Sequence, residues 1–221
     1  MVTFWRGPIK DTLEPALLID NETVHVGGKW SVDVETIDIA GQRVKRDIVI
    51  HPGAVAILVL NDRDEVLLIR QYRQALGMFL FETPAGLLDI AAENPLVAAQ
   101  RELAEEAGVQ AAHWETLVDF YNSPGGSSEA IRIYLAREIT ELPDGRIITG
   151  EAEEVDLPCV WVPLEKAVDL VLGGELGNPT AVVGVLAAWA WRSDPHRVLR
   201  EANAPWNARE GLKTLGRLPS V

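Results

Sequence analysis

The stretch Asn94–Val109, reading Asn-Pro-Leu-Val-Ala-Ala-Gln-Arg-Glu-Leu-Ala-Glu-Glu-Ala-Gly-Val, limits what this chain can fold into more than any other. Both ends are marked. Asn94 is a good N-cap, Pro95 suits the first helical position, and Gly108 suits a left-handed stop. Leu96, Ala99, Leu103 and Ala107 recur three or four apart and form one apolar stripe. The spacing predicts a helix over about Pro95–Ala107. On that helix Glu102, Glu105 and Glu106 fall at i, i+3 and i+4, so their carboxylates share a face. Like charges at this spacing repel. Arg101 reaches Glu105 at i+4 but cannot neutralise three glutamates. A hard divalent cation with oxygen ligands resolves the repulsion, and Mg²⁺ binds through a few carboxylates plus substrate phosphates. The plain alternative for such a face is a solvated acidic surface.

The flanking segments read as a mixture of strands and helices. Thr23–Val26 and Trp30–Ile39 read as strands, with Trp30, Val32 and Val34 alternating against Ser31, Asp33 and Glu35. Ala40-Gly41-Gln42 reads as a turn, and Val44–Ile50 returns as the next strand. His51-Pro52-Gly53 opens the main domain. Ala54–Leu60 is a continuous apolar run, hence a buried strand, and with the turn Asn61–Asp64 and the strand Glu65–Arg70 it reads as a hairpin. Thr116–Phe120 and Ile131–Ala136 read as strands joined by the loop Ser123-Pro124-Gly125-Gly126-Ser127-Ser128. An acidic connection leads to a strand at Cys159–Val162, and Leu164–Leu172 and Thr180–Trp191 read as helices. No regular βαβ alternation appears, which points to an α+β chain built as a layered α/β/α sandwich with a mixed sheet. The organisation expected is a small antiparallel β-sheet domain over 1–50, a main domain over 51–191 and a basic tail over 192–221. The small domain is too short to hold a core alone, so it packs on the rest or on another copy.

Charge and composition exclude several classes. Of the 221 residues 24% are charged, and the net charge is −13. The tail carries +3, which leaves −16 for residues 1–191. Such a chain repels a bare phosphate backbone, so no nucleic-acid partner is expected. A phosphorylated small molecule remains open, because bound cations invert the local sign of a carboxylate cluster. No apolar run approaches the roughly 20 residues of a membrane span, and Met1–Asp20 lacks the pattern of a secretory signal. The single cysteine, Cys159, cannot form an intrachain disulfide and fits a reducing compartment, taken as the cytoplasm. Its apolar surroundings predict a buried, inert thiol.

From Gly86 to Val109 the chain resembles the Nudix box: a glycine, a spacer, a glutamate, seven residues, then Arg-Glu-apolar-x-Glu-Glu-x-Gly-apolar. Every fixed position from Glu93 to Val109 matches, while six residues rather than five separate Gly86 from Glu93. The resemblance implies hydrolysis of a nucleoside diphosphate linked to another group, with Mg²⁺ (Mn²⁺ is the variant) as cofactor. By position Glu102 and Glu106 are metal ligands, the carbonyl of Ala85 is a further one, and Glu105 is either a ligand or holds a metal-bound water. Gly86, Glu93 and Arg101 shape the box.

A finer resemblance covers roughly residues 43–190. His51-Pro52-Gly53-Ala54-Val55, Arg70-Gln71-Tyr72-Arg73, Glu82-Thr83-Pro84-Ala85-Gly86 and Ser123-Pro124-Gly125-Gly126 look like the ADP-ribose pyrophosphatase branch. That branch implies hydrolysis of ADP-ribose or a related ADP-sugar to AMP and a sugar phosphate, in a homodimer that exchanges the N-terminal sheet. Enzymes of GDP-sugars share much of this pattern. A dinucleoside polyphosphate hydrolase and a non-catalytic nucleotide-binding regulator are the other readings, and the intact acidic box argues against the last. Arg46 and Arg73 match substrate-contacting arginines, with a surface ion pair as the alternative for each. Glu82 meets either a ribose hydroxyl or Arg73. Trp30 stacks on a base or fills a core position on the sheet. Ser127 and Glu129 line the site or belong to a solvated loop. The base of this branch lies outside the box, on an acidic loop before a late strand. Glu153 matches that place, and Glu154 is second. His51 stands at the start of a buried strand and is not read as the base.

Overall fold

A computed structural model describes residues 2, 4–146 and 157–218. Glu153 and Glu154 lie outside the described residues.

Strand β4 (Ala54–Val59) organises the molecule, and all six of its residues are buried. Successive strand side chains point to opposite faces. Ala54, Ala56 and Leu58 therefore enter one core, and Val55, Ile57 and Val59 enter the other. The first core is closed by α2 (Leu164–Leu172) and α3 (Pro179–Arg192), through Leu164, Ala167, Ala181, Val185 and Ala188. The second is closed by α1 (Pro95–Ala107), through Ala98, Ala99 and Leu103. Helices thus cover both faces of a sheet, the α/β/α sandwich expected.

The sheet itself is mixed. β4 runs parallel to β9 (Ala130–Glu141) and antiparallel to β7 (Ala85–Leu87). β8 (Val109–Tyr121) pairs antiparallel with β9, and the two-residue β11 (Arg200–Glu201) adds the edge, giving the order β11-β8-β9-β4-β7. A second sheet has the order β10-β5-β6, from Cys159–Pro163, Glu65–Arg73 and Met78–Glu82. A separate three-stranded antiparallel sheet at the N-terminus holds β1 (Leu17–Val26), β2 (Ser31–Ile39) and β3 (Gln42–Ile50).

Three expectations need correction. The hairpin over 54–70 is only begun. Asn61 Oδ1 accepts from the N–H groups of Arg63 and Glu65 and forms the turn, and one bridge joins Leu60 to Val66. The strands then part into different sheets, because β7 and β9 already take both edges of β4. Strands β6 and β7 were not expected at all. Finally, Cys159 is exposed rather than buried. Its thiol is still pushed above its usual value by burial of the group, with the Arg146 charge opposing, so it remains a poor nucleophile at neutral pH.

The last residues fold back onto the sandwich. β11 pairs with Glu115 and Thr116 of β8, and α4 (Asn207–Thr214) buries Leu212 beside Trp206 in the second core. The anchor is Arg132 on β9, which is 2% exposed. Its guanidinium donates twice to Asp119, at 2.7 and 2.9 Å, and to the carbonyls of Ala204 and Pro205 at 2.8 and 3.2 Å. A buried cation is tolerable only when paired and hydrogen-bonded in this way.

Candidate active site

Helix α1 has the ends its sequence marks. Asn94 Oδ1 accepts from Leu96 N–H at 2.8 Å, Pro95 opens the helix, and Gly108 closes it at φ 66°. Its inward stripe carries two acids along with the apolar residues. Glu102 is 8% exposed and Glu106 4%. Buried carboxylates are costly unless partnered. Glu106 Oε2 accepts from the backbone N–H of Ala85 at 2.8 Å, which ties the helix to β7. Glu102 packs directly on Gly86, where an added Cβ would overlap its carboxyl group. That close approach explains the glycine in physical terms.

Arg101 is the hub of the outer side. Its Nη1 donates to Glu102 at 2.8 Å and to Glu105 at 2.9 Å, and its Nε and Nη2 donate to Glu93 at 3.1 and 3.2 Å. The Glu93 hydrogen bonds raise its pKa further above the ordinary arginine value. One guanidinium thus bridges three carboxylates while Glu106 adds a fourth acid.

This geometry fits a hard divalent cation. The donors are carboxylate oxygens of Glu102 and Glu106 on one helix face and the backbone of Ala85–Gly86 opposite them. Among the described residues no three side chains already form a cage. Mg²⁺ does not need one, since it keeps waters and shares substrate phosphates.

Strands β5 and β6 supply the neighbouring wall. Glu82 is 1% exposed and takes a two-pronged pair from Arg73, at 2.8 and 2.6 Å. Of the two partners considered for Glu82, the structure therefore shows Arg73. Thr83 next to it donates to Thr180 Oγ1 at 2.8 Å, and Thr180 donates to Asn178, the N-cap of α3. This chain of hydrogen bonds fixes the Glu82–Gly86 turn from the opposite layer. Thr83 and Thr180 carry no sequence signal of that role, because they are distant along the chain.

The remaining candidates lie at the N-terminal sheet and on the glycine loop. Trp30 is 46% exposed, which rules out the core position, and it stacks on His51 with ring centres 5.6 Å apart. Burial lowers the His51 pKa, with Glu129 opposing, so the ring is neutral at pH 7. Arg46 is exposed on β3 and donates to the carbonyl of Lys45. Ser127 Oγ accepts from Glu129 N–H, and Glu129 accepts from Asn122 at 2.7 Å. The glycine loop docks on β3 through Val49, whose N–H donates to Gly126 and whose carbonyl accepts from Ser128. Arg146, which the sequence did not single out, donates to the Glu105 carbonyl at 3.1 Å.

A model of the NUDIX domain matches residues 50–181. The chain belongs to the Nudix family. Among its relatives is a protein of Mycobacterium tuberculosis named ADP-ribose pyrophosphatase, 42% identical over 173 residues, which span 78% of this chain and 82% of the relative. A Bacillus methanolicus protein named methanol dehydrogenase activator is 32% identical over 168 residues, 76% of this chain and 89% of that one. A solved structure described as an ADP compounds hydrolase superposes with a TM-score of 0.71 at 23% identity, covering 86% of this chain and all of the other. That likeness is one of fold. The family membership expected from Gly86–Val109 therefore holds across the Nudix domain.

Proposed function

We propose that this Nudix protein hydrolyses the diphosphate bond of ADP-ribose, or a closely related ADP-sugar, to AMP and a sugar phosphate with Mg²⁺ as cofactor. The observation that carries the reading is the pair of buried acids, Glu102 and Glu106, held against Ala85–Gly86. The substrate follows from the ADP-ribose pyrophosphatase relative, whose similarity spans most of both chains.

Glu102, Glu106 and the Ala85 carbonyl would hold Mg²⁺, with Mn²⁺ as a substitute. Such an ion draws charge from phosphate oxygens and lowers the pKa of a bound water. The chain's own residues do the rest. Arg101 keeps Glu93, Glu102 and Glu105 in place, and Glu105 serves as a further ligand or holds a water. Arg73, half-exposed and braced by Glu82, presents its outer edge to a phosphate. Arg46 contributes a second cation, and the exposed ring of Trp30 offers a face to adenine. Ser127 and Glu129 border the site through the glycine loop. Glu153, with Glu154 second, takes the proton from the attacking water. The protein acts as a cytoplasmic homodimer without nucleic-acid or membrane partners. No helix of the described residues is long and apolar enough to cross a membrane.

The test is an assay of released mononucleotide with Mg²⁺ and a panel of ADP-ribose, ADP-glucose, GDP-mannose, NADH and diadenosine polyphosphates. ADP-ribose is expected to turn over fastest, and EDTA to abolish turnover. Preference for GDP-mannose would overturn the substrate, and no turnover of any compound would overturn the enzyme reading.

A further inference from the structure

The segment Leu88–Glu93 is a loop that closes in a turn, with the Glu93 N–H donating to the Ile90 carbonyl and Ala92 in the left-handed region at φ 59°. Opposite it stands α4. Between the two lies a half-open cavity of about 490 Å³, with Leu88, Ile90 and Leu218 on its apolar side and Arg209 and Lys213 on its polar side. That volume lies within the range of small-molecule sites.

Two cations and two acids line it, and one acid, Glu93, is held by Arg101. Arg209 and Lys213 are four residues apart on α4 and share a face. Neither has a carboxylate within ion-pair distance among the described residues. Arg209 donates to the Pro52 carbonyl and lies over the Trp206 ring at 5.9 Å, and both of these groups are uncharged. Burial lowers its pKa, which Glu210 only partly offsets. Glu93 and Glu210 also border the cavity; Arg101 takes the charge of Glu93, and Glu210 lies near Arg209 without an ion pair to it. A half-buried guanidinium with no ion-pair partner among the described residues, next to an ammonium and apolar side chains, suits a phosphomonoester. The fork of arginine grips phosphate oxygens, and the apolar wall packs a sugar or ring.

We infer that the cavity between the Leu88–Glu93 loop and α4 is a second binding site, for a phosphate or phosphomonoester, with Arg209 and Lys213 as its anion ligands. The site does not depend on the proposed hydrolysis, because it is measured without metal or turnover.

The test is calorimetric titration of the full-length protein in EDTA with inorganic phosphate, ribose 5-phosphate and AMP. Saturable binding is expected for at least one. Lys213→Glu, an exposed position that leaves the fold intact, is expected to weaken it by at least about tenfold, the worth of one charge-assisted hydrogen bond. Arg209→Gln should weaken it similarly, and Arg73→Ala should leave it unchanged. Equal binding of all three identifies the anion alone as the ligand, and tighter binding of the organic phosphates assigns a role to the apolar wall. No saturable binding up to millimolar concentrations, or unchanged affinity in Lys213→Glu, would overturn the site.

Discussion

At Gly86 the fold allows no side chain, because a Cβ there would occupy the space of the Glu102 carboxyl group. Gly86→Ala must push Glu102 or β7 aside. Overpacking of this kind costs about 1–3 kcal/mol. The variant is expected to melt lower than wild type and to lose most of its activity, read by thermal denaturation and mononucleotide release. An unchanged melting point would contradict the contact. Much of this residue-level site was legible in the sequence. Spacing alone placed Glu102, Glu105 and Glu106 on one face, and the Arg101–Glu105 pair formed at i+4 as expected. What spacing could not show is that Glu102 and Glu106 lie on the buried stripe while Arg101 bridges the outer acids. That depends on where β7 docks. The pairing of Glu82 with Arg73, and the hydrogen bond from Arg146 to Glu105, likewise exist only after the sheets assemble.

Among the elements, helices were the most readable, because caps and apolar stripes are local signals. α1, α2 and α3 begin and end within a residue or so of their expected bounds. β6 and β7 were not read, since β7 has three residues and no alternation. The C-terminal segment was read only as basic, because its anchors are few and its partner is distant. Trp206 is buried, with the Arg132 and Arg209 guanidinium carbons 4.9 and 5.9 Å from its ring. Trp206→Ala is expected to cost about 3–5 kcal/mol in chemical denaturation. Its indole N–H is buried without a hydrogen-bond partner among the described residues. Trp206→Phe should therefore stay within about 1 kcal/mol of wild type, because it also removes an unsatisfied donor. Equal losses in the two variants would contradict this account of ring burial.

For the whole molecule, the alternation within Trp30–Ile39 and the turn at Ala40-Gly41-Gln42 made the N-terminal sheet legible, but not what covers its outer strand. β1 is exposed along its full length and carries Leu17, Leu18, Val24 and Val26 outward. Contiguous exposed apolar side chains on an edge strand mark an interface. Sedimentation equilibrium is expected to give twice the chain mass, and Leu18→Asp with Val24→Asp should shift the protein toward monomer. A monomer at all concentrations would contradict the dimer. This sheet is tied to the rest of the molecule through Arg217 of the C-terminal segment, which pairs with the buried Glu35 at 2.7 Å, and through the glycine loop on β3. Trp30 and Arg46 therefore ride on a sheet fixed to the body that carries the carboxylates. The central claim is that those carboxylates hold the catalytic ion, and Glu106→Gln tests it most directly. Glutamine preserves shape and can still accept the Ala85 N–H hydrogen bond, so the protein should stay folded. Turnover of ADP-ribose with Mg²⁺ is expected to fall by about a thousandfold or more. Wild-type turnover in a folded Glu106→Gln protein would contradict the assignment.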